Sequence, residues 1–421
     1  MQFVTWTLRA FLAVVIVAGM AACTTLGLNY ASLETDNKPK AWPALEGTAL
    51  AAVTTDREVG KDLVERLIFG PVPVGLPSRV VERRIVNPNY ANGTATLEEF
   101  TLAIGQFKQE RKFNLAVAFP KNATGPVPLI INKTFCPNRV TFNENELSPA
   151  LSSVQMCGDE ADMEGFGGGA VKTIFGRYIG TPPSERIIAR GYALASFYPS
   201  DLVADNARIG RSDLNSFPEG ARGRPTGAVA AWISGYSAAL DVLEADPRID
   251  PARTAVMGHS RHGKSALVAG AFEPRIEAVI AHQAGTGGSA ISRYKPGESV
   301  DAITASYPHW FDPEYANYDA EGPYTTPVDM HYLIALNAPK KVFLGNGRRD
   351  VWSDPNGSYR AALAADAAWK ALGQTGLDQA GMTDFNPNAG LVYFMRAGGH
   401  GIVKEDWDAF LDFLDAAMPA E

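Results

Sequence analysis

The polarity of the chain changes character three times before a regular alternation sets in. An apolar run from Ala10 to Ala22 follows Arg9, and from Thr24 to about Leu45 the sequence is polar and patternless. Between Asp56 and Phe69 the positions Val59, Leu63, Val64, Leu67 and Ile68 recur at helical spacing, and Gly70-Pro71 ends the pattern, so a helix is predicted there. Three strand-like runs follow, at Phe100 to Ile104, Phe113 to Phe119 and Pro128 to Thr134. Further strands are predicted at Tyr192 to Tyr198, Thr254 to Met257, Ile276 to Ile280, Lys341 to Leu344 and Leu391 to Met395. Helices at Gly227 to Ala245, Lys264 to Ala271, Tyr359 to Leu372 and Glu405 to Ala417 fall between and after them. Strands taking turns with helices, and apolar enough to be covered on both sides, predict an α/β fold with a mostly parallel central sheet and helices on both faces. Gly165 to Gly169 reads as a surface loop, since no clean strand precedes it and no helix clearly follows.

Composition narrows the picture. A chain of 421 residues has room for two average domains, but one elaborated catalytic domain over residues 46–421 is the expectation. With 46% apolar and 20% charged residues, extensive disorder is excluded. The net charge of -8 comes without any block of like charges, so no nucleic-acid partner is expected. The first apolar run is too short to span a bilayer and suits a signal peptide over residues 1–22, hence export. Its end, Met20-Ala21-Ala22-Cys23, resembles a bacterial lipobox, in which Cys23 is lipidated and residues 23–45 tether the body to a membrane. A periplasmic or outer-membrane lipoprotein is expected, otherwise a secreted protein, with an ordinary cleavage site and an incidental cysteine as the alternative. Cys136 and Cys157 either pair in an oxidising compartment or stay free and buried.

The candidate chemistry begins at Gly258-His259-Ser260-Arg261-His262-Gly263-Lys264, where a strand turns sharply into a helix. It reads as a nucleophile elbow, one residue longer than G-x-S-x-G. The helix that starts there aims its first N–H groups at any anion forming on the substrate, so the backbone N–H of Arg261 is a candidate oxyanion donor, with a second expected from the Lys133 to Phe135 loop. A serine nucleophile needs a base and an orienting acid, which in an α/β-hydrolase follow in the order serine, acid, histidine. Asp350 follows the strand Lys341 to Leu344, and His400 lies in the glycine-rich run Gly398-Gly399-His400-Gly401 after the last strand. Asp354, just before Pro355, is expected to cap a helix instead. His259, His282, His309 and His331 show no i, i+4 pair with a carboxylate, so neither a metal nor a cofactor is expected.

With these residues in hand the chain resembles the glucuronoyl esterases of carbohydrate esterase family 15, the 4-O-methyl-glucuronoyl methylesterases, from about Ala51 onward. The likeness rests on the elbow and on Gly285-Thr286-Gly287-Gly288, Gly297-Glu298-Ser299-Val300, Tyr307-Pro308-His309-Trp310-Phe311, Pro327-Val328-Asp329-Met330-His331 and Asp350-Val351-Trp352-Ser353-Asp354-Pro355. It implies an α/β-hydrolase fold and hydrolysis of uronic acid esters, as in glucuronoxylan-lignin linkages, with a carbohydrate ester as the partner; a monomer is expected. It also implies that Arg261 adds its guanidinium to the oxyanion hole, that Lys264 and Glu298 hold the sugar hydroxyls, and that Trp352 offers an apolar face. The triad acid of fungal members falls at Gln283 here, so Asp350, at the position of bacterial-type members, takes that role. Gln283→Glu is expected to restore some activity to Asp350→Asn if both positions reach the same histidine nitrogen. The alternatives are an acetyl- or pectin-type esterase on the same scaffold, or a carbohydrate-binding protein whose catalytic site has decayed.

Overall fold

The computed structural model describes residues 45–106, 109–155, 157, 172, 174–218, 226–292, 297–318 and 328–419. Residues 1–22, Cys23, Gly165 to Gly169 and Pro327 lie outside them. Among the described residues no helix is long and apolar enough to cross a membrane.

Among the described residues nine strands form one sheet: β1 (Ser78–Tyr90), β2 (Ala95–Ile104), β3 (Arg111–Pro120), β4 (Val127–Lys133), β5 (Ala193–Phe197), β6 (Ile249–His259), β7 (Ala278–His282), β8 (Lys341–Gly347) and β9 (Leu391–Arg396). Their order is β1-β2-β3-β5-β4-β6-β7-β8-β9. The first three are antiparallel to their neighbours, and every pairing from β5 to β9 is parallel. The mostly parallel sheet is the one expected from the alternation, and the arrangement is that of the α/β-hydrolase fold implied by the resemblance. Four helices matter for the site: α1 (Ser234–Leu243), α2 (Arg261–Phe272), α3 (Pro355–Ala371) and α4 (Lys404–Ala417).

Both faces of the sheet are covered. Along β4 the side chains of Leu129 and Ile131 join one apolar cluster with α1, α2 and α3, while Ile130 joins the other with α4. The period of two along a strand produces this division, and burial on both sides explains why the strand reads as an almost continuous apolar run. In a parallel array all C-terminal strand ends reach one edge, so the loops after β4, β6, β8 and β9 gather there.

Short helices such as Gly47–Val53, Ser184–Ala189 and Ala207–Asn215 were not predicted, and two further departures have a clear physical cause. No sequence signal marks β1, because most of its 13 residues are exposed and leave no alternation to see. It is an edge strand, kinked by register shifts and carrying Pro88 with the charged Arg83 and Arg84, which ion-pair with Glu98 and Glu99 of β2. The helix predicted over Gly227 to Ala245 is broken into Ala228–Ala231 and α1. Hydroxyls compete for the carbonyls at the join: Ser265 Oγ donates to Val229 O at 2.7 Å, and Ser234 Oγ donates to Ala231 O at 2.7 Å.

Cys136, in the loop after β4, forms a disulfide with Cys157 across 21 residues of chain. Closing such a loop stabilises the fold by about 3 kcal/mol through the entropy of the unfolded chain. Cys157→Ser is expected to lower the stability from chemical denaturation by about that amount. Thiol titration of the unreduced, unfolded protein should find neither of these two cysteines free, and finding both free would contradict the pairing.

Candidate active site

The elbow is built by β6 running into α2. Ser260 sits between them with φ 56° and ψ -123°, in a backbone region that a non-glycine residue enters only at a cost of about 1–3 kcal/mol. Its own N–H donates to His282 O on β7 at 2.8 Å, and the amides of Gly263 and Lys264 return to its carbonyl. The turn is tight enough that a Cβ on residue 258 would lie 2.1 Å from the carbonyl oxygen of His262, so glycine is required there. The first amides of α2 have no carbonyl one turn earlier to bond and point outward beside Ser260. The Lys133 to Phe135 loop runs alongside, with the Phe135 ring 4.7 Å from that of His262.

The structure brings Asp350 and His400 together. His400 Nδ1 lies 2.7 Å from Asp350 Oδ2, and Asp350 is fully buried. Burial works against its charge, but the charge of His400 and hydrogen bonds from His400 and Ser353 outweigh that and hold the carboxyl below its ordinary range. A tight turn, with Asp350 N–H donating to Gly347 O at 3.0 Å, swings the carboxylate back over the end of β8. Asp354 points elsewhere: its Oδ1 accepts from Gly357 N–H at 2.9 Å and caps α3.

Gln283 does not face the imidazole as an acid would. Its Nε2 donates to Gly399 O at 3.0 Å, and its Oε1 accepts from Gly401 N–H at 2.8 Å, so one amide grips the backbone on both sides of His400. Arg396 reinforces the grip by donating to Gly401 O at 2.6 Å. Both amide atoms of Gln283 are thereby used, which removes the premise that a carboxylate there reaches the histidine nitrogen.

On the other side of Ser260 the Arg261 guanidinium is ion-paired with Asp205 and rests over the rings of Trp310 and Tyr307, which stack on each other at 3.8 Å. Asp205 also accepts from Trp310 Nε1 at 2.8 Å and contacts His309 Nε2 at 3.1 Å. Burial alone would raise its carboxyl, yet Arg261, His309 and Trp310 hold it well below the usual range. Sequence reasoning missed Asp205. Its position in the loop after β5, at the same sheet edge as the elbow, was the available signal.

Lys264 is buried, and its Nζ donates to Ala284 O at 2.5 Å and Thr286 O at 2.6 Å. Two of its three protons are thus committed to the glycine-rich segment, leaving one for a ligand. Burial pushes the ammonium down to about 8, with the charge of Glu298 opposing. Glu298 is raised by burial against the charge of Lys264 and a hydrogen bond with Trp352. Trp352 is 56% exposed, an uncommon setting for an indole and one that leaves a ring face open. A cavity of about 410 Å³ lies along His400, lined by Phe175, Gly398, His400 and Val403 among others.

The family model for glucuronyl esterases of fungi matches residues 171–373. The chain is 30% identical to carbohydrate esterase MZ0003, from an unknown prokaryotic organism, over 93% of this chain and 92% of that protein. It is 28% identical to the 4-O-methyl-glucuronoyl methylesterase of Hypocrea jecorina, over 74% of this chain and 56% of that one. Among solved structures, a glucuronoyl esterase from Solibacter usitatus superposes with a TM-score of 0.74 at 28% identity, over 91% of this chain and 99% of that chain.

Two outcomes test this geometry. Asp350→Asn should keep the fold and lower kcat by roughly three to four orders of magnitude, because an amide leaves imidazolium unsupported. Asp354→Asn should cost at most about 1 kcal/mol of stability and leave kcat near wild type, since Asn also caps. The reverse ranking in steady-state kinetics would show that the acid is Asp354. Gln283→Glu sets a carboxylate oxygen against Gly399 O, so it should cost about 1–3 kcal/mol of stability and leave Asp350→Asn no more active. Recovery of turnover in that double variant would mean that position 283 does reach His400.

Proposed function

The chain belongs to the glucuronoyl esterases of carbohydrate esterase family 15, a family of carboxylic ester hydrolases, and on that premise we propose that it cleaves 4-O-methyl-glucuronoyl esters through Ser260, His400 and Asp350. The observation that carries this reading is the 2.7 Å contact between His400 and the buried Asp350 at the sheet edge that also holds the strained Ser260. Asp350 keeps the proton of the imidazole on Nδ1, so Nε2 is free to take the hydroxyl proton as Ser260 attacks the uronoyl carbonyl. The Arg261 amide and guanidinium stabilise the oxyanion, where a charge-assisted donor in a dry site gains most. His400 returns the proton to the departing alcohol. Water then repeats the sequence on the acyl-enzyme and releases the uronate.

Lys264, Glu298 and Trp352 hold the sugar in this reading. The third proton of Lys264 and the carboxylate of Glu298 meet ring hydroxyls, and the exposed indole packs against the sugar's apolar face. The enzyme is exported, with Cys23 as its lipidated N-terminus.

The test compares substrates. Lys264→Ala or Glu298→Ala should reduce kcat/KM on benzyl glucuronate by at least about a hundredfold while changing 4-nitrophenyl acetate by no more than a few-fold. Equal losses on both would place these residues in the fold or the chemistry instead. Because the Lys264 ammonium titrates at about 8, the amine above that pH keeps only the two N–H groups that bond Ala284 and Thr286. KM for benzyl glucuronate should therefore rise as pH passes about 8, with KM for 4-nitrophenyl acetate flat. A KM for the glucuronate that is constant to pH 9.5 would rule out charge on Lys264 as a binding determinant.

A further inference from the structure

Beneath His400 lies a second, fully enclosed chain of polar groups that the reaction as described does not use. His259, the last residue of β6, and His282, the last of β7, are register partners, and both rings are buried. Their Nδ1 atoms are 2.9 Å apart. Two ring nitrogens at that distance share one proton, so one ring donates and the other accepts.

The far end of the chain settles which. His282 Nε2 lies 3.1 Å from Asp406 Oδ1, and Arg396 Nε bonds both oxygens of that carboxylate at 2.7 and 2.8 Å. Asp406 is therefore a carboxylate, and His282 Nε2 lies in charge contact with it, short of hydrogen-bond geometry, so the proton of that ring is favoured on Nε2. That leaves His282 Nδ1 as an acceptor and His259 Nδ1–H as the donor, with the lone pair of His259 on Nε2.

The His259 ring is 4.5 Å from that of His400, tilted by 48°, and no closer aromatic neighbour of His400 exists among the described residues. The groups facing His259 are His400, His282, Arg396, His262 and the Phe135 ring; those facing His282 are Asp406, Arg396, His400, His259 and the Phe410 ring. Burial pushes both imidazolium groups down, His259 well below its ordinary value and His282 against the opposing charge of Asp406, and so favours the neutral rings. A neutral ring is a compatible neighbour for an imidazole that becomes cationic during the reaction, whereas a second imidazolium at this distance would oppose it. Arg396 ties the same carboxylate to the carbonyls of Gly399 and Gly401, so one buried ion pair fixes both the ring below His400 and the loop that carries it.

We propose that His259 is a positioning residue for His400, with His282 and Asp406 fixing its tautomer and orientation through the buried His259–His282 hydrogen bond and the His282–Asp406 charge contact. The inference rests on His400 acting as the base, and not on the identity of the sugar. His282→Leu removes the acceptor for His259 Nδ1–H; His282→Asn restores it, because Oδ1 of Asn stands where Nδ1 stood. Both variants forfeit the contact with Asp406 and the ring packing on Phe410, so a merely structural role for His282 would harm them equally.

The experiment measures kcat and KM of the full chain on benzyl glucuronate and on 4-nitrophenyl acetate. His282→Leu should lower kcat at least about tenfold on either substrate with KM within about twofold, and His282→Asn should recover most of that loss. Should His282→Leu fail to fold, His259→Phe, which keeps an aromatic ring but no nitrogen, should show the same tenfold loss in kcat while still unfolding cooperatively. Equal losses in the two His282 variants, or wild-type kcat in His259→Phe, would overturn the proposal. Inactivity of the wild type on the glucuronate alone would count against the uronate reading and leave this comparison standing on the acetate.

Discussion

A carboxylate with no exposure to solvent needs a partner, and for Asp350 that partner is His400. An unpaired charge at this depth would cost several kcal/mol, so the pair is a condition of the fold as well as of the proposed chemistry. Holding it requires that a mobile-looking glycine-rich loop be immobile. The chain achieves this with backbone and side-chain bonds from four directions: Arg349 N–H to Gly398 O, Gln283 to Gly399 and Gly401, Arg396 to Gly401, and Ile402 N–H to Phe175 O. Each is worth about 1 kcal/mol, and together they hold the imidazole in place.

The opposite wall of the site follows the same logic with the charges reversed. Arg261 is an unconditional cation beside an apolar floor of Trp310, Tyr307 and Phe135, and Asp205 balances it. Pairs such as Lys404 with Asp408 at the surface contribute at most about 1 kcal/mol each. The buried pair differs because removing either member strands the other in a site of low dielectric. Fixed charge of this kind can stabilise a developing oxyanion without reorganisation during the reaction.

Much of this was legible in the sequence where one local rule dominated. The parallel strands announced themselves as apolar runs, and Gly258, Ser260 and Gly263 marked the elbow because close backbone approach admits few alternatives. Asp354 was separable from Asp350 by the proline that follows it, and the structure shows that cap. What stayed hidden depends on long-range contacts. β1 carries no burial pattern, the break before α1 comes from hydroxyls of Ser234 and of the distant Ser265, and Asp205 has meaning only beside Arg261. Gln283 was visible as a departure from the fungal pattern, but its two-sided hold on the His400 loop joins residues more than a hundred positions apart.

The central claim, that Ser260 is made nucleophilic by His400, is tested most directly by peptide mass mapping after reaction with a fluorophosphonate, which phosphonylates only an activated serine. One adduct per chain is expected, on Ser260, and none in His400→Ala under the same conditions. An adduct on another serine, or undiminished labelling of Ser260 in His400→Ala, would contradict it.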